Sequence, residues 1–174
     1  MRIAIDLDGT LADIHTVFLE ELEKQEDIVH SFEDLENYYF DEAPFSLKKF
    51  HKLARENWKN REIPLTDKEI PTHLEKLSQR HRVDIVTARD DVDRKILRNW
   101  LNRKNVKFQD LVVNKEKTHL NYDVLIDDSP TYIGDGMKIL LYDRPYNEEA
   151  ETGENSRRVE DFSEAREHIE RKLV

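Results

Sequence analysis

Residues Arg2 to Asp13 read RIAIDLDGTLAD. Ile3, Ala4, Ile5 and Leu7 make an apolar run too short for a capped helix, so the stretch predicts a buried strand. Asp6 and Asp8 interrupt it at its C-terminal end. Aspartate is depleted in strands and is rarely buried unless paired. Side chains two residues apart leave a regular strand on the same face, so these two carboxylates would repel one another. A bound divalent cation is the usual relief. Gly9 and Thr10 turn the chain, and Leu11 onwards reads as helical.

The rest of the chain sets bounds on this stretch. Its 174 residues suffice for one ordinary domain, or a core plus a small insert. Hydrophobic residues make up 37% and charged residues 38%, but the apolar ones are patterned, which argues for a folded chain. The formal net charge is −10, which disfavours nucleic acid and anionic membranes as partners. An anionic substrate then needs a metal or local cations to invert the field at the site. There is no cysteine, so disulfides, thiolate catalysis and zinc–thiolate centres are excluded. No apolar run approaches the ~20 residues that span a bilayer, and the N-terminus enters the strand directly with no signal-peptide pattern. A soluble, cytoplasmic protein is expected. Only four glycines occur, and none builds a Gly-rich phosphate loop.

Ile14 to Asp27 has helical apolar spacing at Ile14, Val17, Phe18 and Leu22. From about His30 to Thr66 there is no strand pattern. Aromatic residues cluster there: Phe32, Tyr38, Tyr39, Phe40, Phe45, Phe50 and Trp58. Pro44 and Ser46 punctuate the segment, and Leu47 to Asn60 reads as a helix. Such a segment is either a small helical core or a cap that lies over a site and stacks something flat. Asp67 to Arg80 is helix-like, with Pro71 tolerable in the first turn. Arg82 to Thr87 is a second strand and Val92 to Arg103 a helix. Phe108 to Val113, Tyr122 to Ile126 and Met137 to Tyr142 are further strands. Asp143 to Arg158 reads as a polar loop. Asp161 to Val174 is a final helix, with Asp161 as N-cap and Glu164 three residues on.

Strands alternating with helices predict an α/β fold with a parallel, Rossmann-like sheet covered on both faces. Ligands in such sheets bind at the C-terminal ends of the strands. Asp6 and Asp8, Thr87, and Asp127 and Asp128 all fall at such ends. A Thr87 hydroxyl can donate to a phosphate oxygen, although threonine is also an ordinary strand residue. Lys115 and Lys117 are both placed to neutralise phosphate, and each is by default a solvated loop lysine. His15, at a helix start, reads first as structural.

The DLDGT of Asp6 to Thr10 resembles motif I of the haloacid dehalogenase-like (HAD) phosphohydrolases, and Thr87 then matches motif II. The KTxxxxDxLIDD pattern from Lys117 to Asp128 is similar to the cytosolic-type 5′(3′)-deoxyribonucleotidases, as are RPYN at Arg144 to Asn147 and the Arg158 to Phe162 segment. This resemblance implies a HAD core formed by residues 1–13 and 67–174, with residues 14–66 as a helical cap between motifs I and II. It implies Mg²⁺ held by Asp6, the main-chain carbonyl of Asp8 and Asp128, with Asp127 in support. Asp6 would be the nucleophile, Asp8 the acid/base, and Thr87 and Lys117 the stabilisers of phosphoryl charge. Gly9, Thr10, Thr87, Ala88 and Lys117 would contact substrate. The cap would hold a nucleobase between aromatics, with Phe18, Tyr39, Phe40 and Trp58 as candidates. The implied activity is dephosphorylation of (deoxy)nucleoside monophosphates. Alternatives are a phosphatase for another small phosphate such as a sugar phosphate, a phosphotransferase or mutase, and a non-enzymatic binding module. A homodimer is an open alternative for its assembly.

Overall fold

The computed structural model describes residues 1–27, 29–32, 35, 37–39, 45–134 and 136–173, the side chains of 172 and 173 excepted. Among these residues six strands form one sheet: β1 (Arg2–Ile5), β2 (Arg82–Thr87), β3 (Asp110–Val113), β4 (Val124–Asp127), β5 (Lys138–Tyr142) and β6 (Ser156–Val159). Their order is β3-β2-β1-β4-β5-β6 and every neighbouring pair is parallel. β1 sits between β2 and β4, with Ile3 opposite Val83 on one side and Val124 on the other. This register brings the C-terminal ends of β1, β2 and β4 side by side.

Among the described residues five α-helices accompany the sheet: α1 (Ile14–Glu26), α2 (Leu47–Asn60), α3 (Ile70–Ser78), α4 (Arg94–Arg103) and α5 (Phe162–His168). Side chains of all five join Ile3, Ile5, Ile85 and Ile126 in one buried cluster. The opposite face of the sheet (Ala4, Val86, Leu125, Ile139) is covered by Leu120, Tyr122 and Tyr132 from the short connections after β3 and β4. Among the described residues no helix is long and apolar enough to cross a membrane.

The chain leaves the sheet after β1 and returns through residues 64–66. The two passages lie together: Asp13 N donates to Pro64 O (3.0 Å), Thr66 N to Leu11 O (3.0 Å), and Ala12 bridges Leu65 antiparallel. Between them α1 packs on α2. Asp13 caps α1, accepting from Thr16 N (3.4 Å) and from the Thr16 hydroxyl (2.9 Å). Ser46 caps α2 at Lys49 N (3.2 Å).

Two expectations are corrected. Helix does not begin at Leu11, because Leu11 N and Ala12 N both turn back to Leu7 O and Gly9 N donates to Ala12 O. It begins at Ile14. The expected loop from Asp143 to Arg158 contains the start of the edge strand β6. Of its four residues only Val159 is buried, so no apolar period announces it. Backbone pairing to β5 makes the strand, and Arg158 ties it down by donating to the carbonyls of Asn147, Glu148 and Ala150. The N-cap of α5 forms as read: Asp161 accepts from Glu164 N (2.8 Å), while Glu164 Oε2 accepts from Glu160 N (3.0 Å).

Candidate active site

The ladder of β1 runs one bond past its last residue, Asp6 N donating to Ile126 O (2.9 Å). That places the Asp6 carboxylate at the strand mouth. β4 delivers Asp127 and Asp128 beside it, and the turn after β3 delivers Lys117. Lys117 Nζ donates to Asp6 Oδ1 and to Asp127 Oδ2 (2.7 Å for the latter). Lys117 is only 2% exposed. Lys115, the rival, lies at the rim in an exposed pair with Asp90 (2.7 Å). Asp127 Oδ1 accepts from Ser129 N (2.8 Å).

Asp128 is fixed on both oxygens. Oδ1 accepts from the Thr10 hydroxyl (3.0 Å), whose oxygen in turn accepts from Asp128 N (3.0 Å). Oδ2 accepts from the Tyr146 hydroxyl (2.7 Å). Tyr146 sits in the turn Pro145–Asn147, which Asn147 fastens by donating from Nδ2 to Asp128 O and Tyr142 O (2.8 Å each). The RPYN stretch thus acts by holding Asp128.

Asp8 has other partners. Its Oδ1 accepts from Trp58 Nε1 (2.7 Å) and its Oδ2 from Arg89 Nε (2.5 Å). Regular strand ends at Ile5, so the same-face geometry expected of Asp6 and Asp8 does not govern the side chains. The carboxylates that crowd Asp6 are Asp127 and Asp128: oxygens of these three lie within 4.8 Å of one another.

Electrostatics follow from burial. Desolvation pushes the Asp6 carboxyl well above its ordinary value; Lys117 opposes this, and Asp127 and Asp128 add to it. Asp128 is raised to about 6, first by burial and then by Asp127. Burial works against the charge on Lys117, yet Asp127 and Asp6 hold its pKa well above the usual lysine value. Three buried carboxylates therefore face one ammonium. Oxygen donors with excess negative charge suit a hard divalent cation, so the residues present fit Mg²⁺.

Above the carboxylates lies a cavity of about 470 Å³. Asp6, Asp8, Thr87, Lys117, Asp127 and Asp128 line it together with Ala88 to Asp91, Lys115 and, from residues 14–66, Tyr38, Tyr39, Leu47, Phe50 and His51. Thr87 Oγ1 accepts the Arg89 amide (3.1 Å), which leaves its own proton to donate into the cavity. His15 lines the cavity stacked on Phe50 (4.9 Å, 21°) and against Tyr146 (4.5 Å). Burial, then Arg144 and Arg89, holds its imidazole well below the usual value and so neutral near pH 7.

The structure brings Asp6, Asp8, Thr87, Ala88, Lys117, Asp127, Asp128 and Tyr39 to this cavity. Gly9, Thr10 and Phe18 are not among its lining residues. Thr10 is wholly buried and spends its hydroxyl on Asp128. Phe18 points into the core from α1, edge-on to Phe45 (4.8 Å) and Phe50 (5.0 Å), because its helix faces that way. There it packs against Phe50, which lines the cavity. Trp58 is also buried off the cavity. Phe40 lies outside the described residues. Sequence reasoning missed Arg89, although a cation two residues past a strand end was a usable signal. It also missed His51 and the bond from Trp58 to Asp8, for which no local signal exists.

Gly9 backs this assembly. Its φ is +88°, and a Cβ there would stand 2.5 Å from Asp128 Oδ2 and 2.7 Å from the Tyr146 hydroxyl. Gly9→Ala combines backbone strain with a clash against a fixed carboxylate. We expect about 2–4 kcal/mol less stability by denaturant unfolding. Activity in the folded fraction should fall more than tenfold as Asp128 is displaced.

Across residues 1–174 the chain matches the profile of a family described as 5′ nucleotidase, deoxy (pyrimidine), cytosolic type C protein (NT5C). The chain belongs to that family. This nucleotidase-family chain is a hydrolase of the phosphatase type with a HAD-like fold. It resembles a conserved haloacid dehalogenase-like protein of unknown function from Agrobacterium tumefaciens (16% identity, 99% of each chain covered, TM-score 0.65). It is similar to a putative beta-phosphoglucomutase from Thermotoga maritima (14%, 99% of each chain, 0.58). It is also similar to the putative HAD hydrolase YfnB from Bacillus subtilis, solved bound to magnesium (13%, 97% of each chain, 0.56). At these identities the likeness carries the fold alone. No curated protein matches the sequence.

Proposed function

We propose that this chain is a Mg²⁺-dependent nucleotidase that hydrolyses nucleoside monophosphates, deoxypyrimidine nucleotides foremost, through an aspartyl-phosphate on Asp6. One observation carries the reading: the Asp6 carboxylate, bridged by Lys117 to Asp127, lines one cavity together with Tyr38, Tyr39 and Phe50. The family description supports the nucleotide substrate.

Asp6 Oδ attacks phosphorus while the bond from phosphorus to the ester oxygen breaks, and Asp8 gives that oxygen its proton. A water then attacks the phosphorus of the aspartyl-phosphate. Its proton passes to Asp8, the bond to Asp6 breaks, and both aspartates are restored with inorganic phosphate as product. Thr87 and Lys117 donate to the phosphoryl oxygens throughout. Asp6, Asp128 and the Asp8 carbonyl would hold the cation, with Asp127 placed to support them. Bound there, it supplies positive charge against phosphoryl oxygens and carboxylates alike. Residues 14–66 act as the cap, and Tyr38, Tyr39 and Phe50 offer faces to a base. The cytosolic location in the family's description is the expectation for this chain.

The test is phosphate release across deoxy- and ribonucleoside monophosphates and sugar phosphates, with and without chelator. Deoxypyrimidine monophosphates should give the highest kcat/KM, and chelation should abolish turnover until Mg²⁺ is restored. Faster turnover of sugar phosphates would remove the nucleotidase reading. A phosphorylated acceptor on adding free nucleoside would convert it to a phosphotransferase.

The cation should also act on stability. Without it, Asp128 has a folded pKa of about 6, above its ordinary 3.8. A raised folded carboxyl pKa favours the fold below the unfolded value, and that contribution is lost as pH rises through the folded one. Metal-free protein is therefore penalised by this group above about pH 6, where a cation relieves it. At a hundredfold excess over Kd, Mg²⁺ should add ~2.7 kcal/mol, a rise in Tm of about 5–10 °C. At about pH 5 a proton competes for the site, and scanning calorimetry should show a much smaller rise.

A further inference from the structure

The described part of the insert makes one hydrogen bond to the acid/base. Trp58 of α2 is 3% exposed and donates from Nε1 to Asp8 Oδ1 at 2.7 Å. Its ring lies edge-on to Trp100 of α4 (5.3 Å, 78°). Trp100 is itself tied by Nε1 to Ile63 O (2.8 Å). On the other side of Asp8, Arg89 Nε reaches Oδ2 at 2.5 Å. Arg89 is anchored through its amide to Thr87 and through Nη1 to Asp91 (3.0 Å).

Asp8 is thus held from two directions, by a neutral donor from the insert and a charged one from the loop after β2. An aspartate held at one oxygen only can pivot about that bond, since its terminal torsion is broad. A general acid must stay within ~3 Å of the oxygen it protonates, so the second donor bears directly on proton transfer. Trp58 does not line the cavity, so its action runs through Asp8 and not through substrate.

We infer that Trp58 is a positioning residue for Asp8, and that seating of α2 is coupled through this one N–H to protonation of the leaving group. The inference rests on Asp8 being the acid/base. Coupling of this kind confines proton delivery to enzyme whose insert is seated over the substrate.

Trp58→Phe keeps an aromatic ring against Trp100 and leaves the Arg89 bond, but removes the N–H. Trp58→benzothienylalanine does the same at constant shape, with sulfur in place of nitrogen, and covers the case in which the phenylalanine variant folds poorly. The Mg²⁺-loaded enzyme, in excess over substrate, is followed for release of the leaving group in a single turnover. Para-nitrophenyl phosphate has a leaving group that departs as a stable anion, whereas phenyl phosphate needs the proton. Both variants should slow phenyl phosphate about tenfold and para-nitrophenyl phosphate less than about twofold. Asp8→Asn should show the same selectivity at about a hundredfold. Equal losses on both substrates, or no loss, in the Trp58 variants overturn the inference while Asp8→Asn remains selective. An unselective Asp8→Asn overturns the acid/base reading itself, and the inference with it.

Discussion

Asp6→Asn leaves less than about one part in ~10³ of wild-type phosphate release, because an amide oxygen is too weak a nucleophile to open the phosphate ester. The variant stays folded. Asn fills the same volume, and the change removes a carboxylate whose burial already raises its pKa. The chemistry and the fold can therefore be separated in one sample. Circular dichroism and thermal unfolding should match wild type or improve slightly, while turnover of every substrate falls together. Beryllofluoride with Mg²⁺ should load the wild-type protein at Asp6 and leave the variant empty. Substantial residual turnover in Asp6→Asn, or beryllofluoride on another aspartate, would move the nucleophile elsewhere.

Lys117→Met strikes both stability and catalysis. Lys117 is the buried counter-charge of Asp6 and Asp127. Removing one partner of a buried ion pair costs ~3–5 kcal/mol because the other charge is left uncompensated. With three carboxylate groups within 4.8 Å and no ammonium, the metal-free variant should melt about 10 °C or more below wild type. The sign of its pH dependence follows from the same crowding. Losing Lys117 raises the folded carboxyl pKa values further, so stability falls as pH rises through them. The deficit should be largest near pH 8, shrink toward pH 5, and be partly recovered by Mg²⁺. Turnover should drop ~10²- to 10³-fold even where the variant is folded, since a donor to the phosphoryl oxygens is gone. A deficit that grows on acidification would contradict the charge arrangement described for the site.

Legibility in the sequence tracked the physical origin of each feature. β2 and α2 fall on the bounds read for them, Arg82–Thr87 and Leu47–Asn60. One is rich in β-branched residues (Val83, Ile85, Val86, Thr87) and the other is amphipathic behind a serine cap, so local signals suffice. β6 was invisible because an edge strand needs a neighbour's backbone rather than a hydrophobic stripe. The carboxylates were legible because each stands at or beside a strand end, whereas only the resemblance carried by KTxxxxDxLIDD separated Lys117 from Lys115. Arg89 stood in view two residues past β2, but its partner did not: it meets Asp8 across 81 positions, as Tyr146 meets Asp128 across 18. Trp58 was read as a stacking group, yet its N–H reaches Asp8 across 50 positions. No period in the chain encodes such meetings.

By itself the sequence determined the parallel α/β architecture, and it placed DLDGT, Thr87 and Asp127–Asp128 at the mouths of three strands. Only the tertiary structure decided how those groups pair. It set Asp6 against Asp127 and Asp128 rather than Asp8, and Lys117 rather than Lys115 inside. It tied Asp8 to Trp58 of α2, buried Phe18, and put Phe50 and Tyr39 among the residues that line the cavity. Hydrophobic periodicity states which face of an element must leave water. It does not state which other element will cover that face, and that choice is made only when all the elements pack at once.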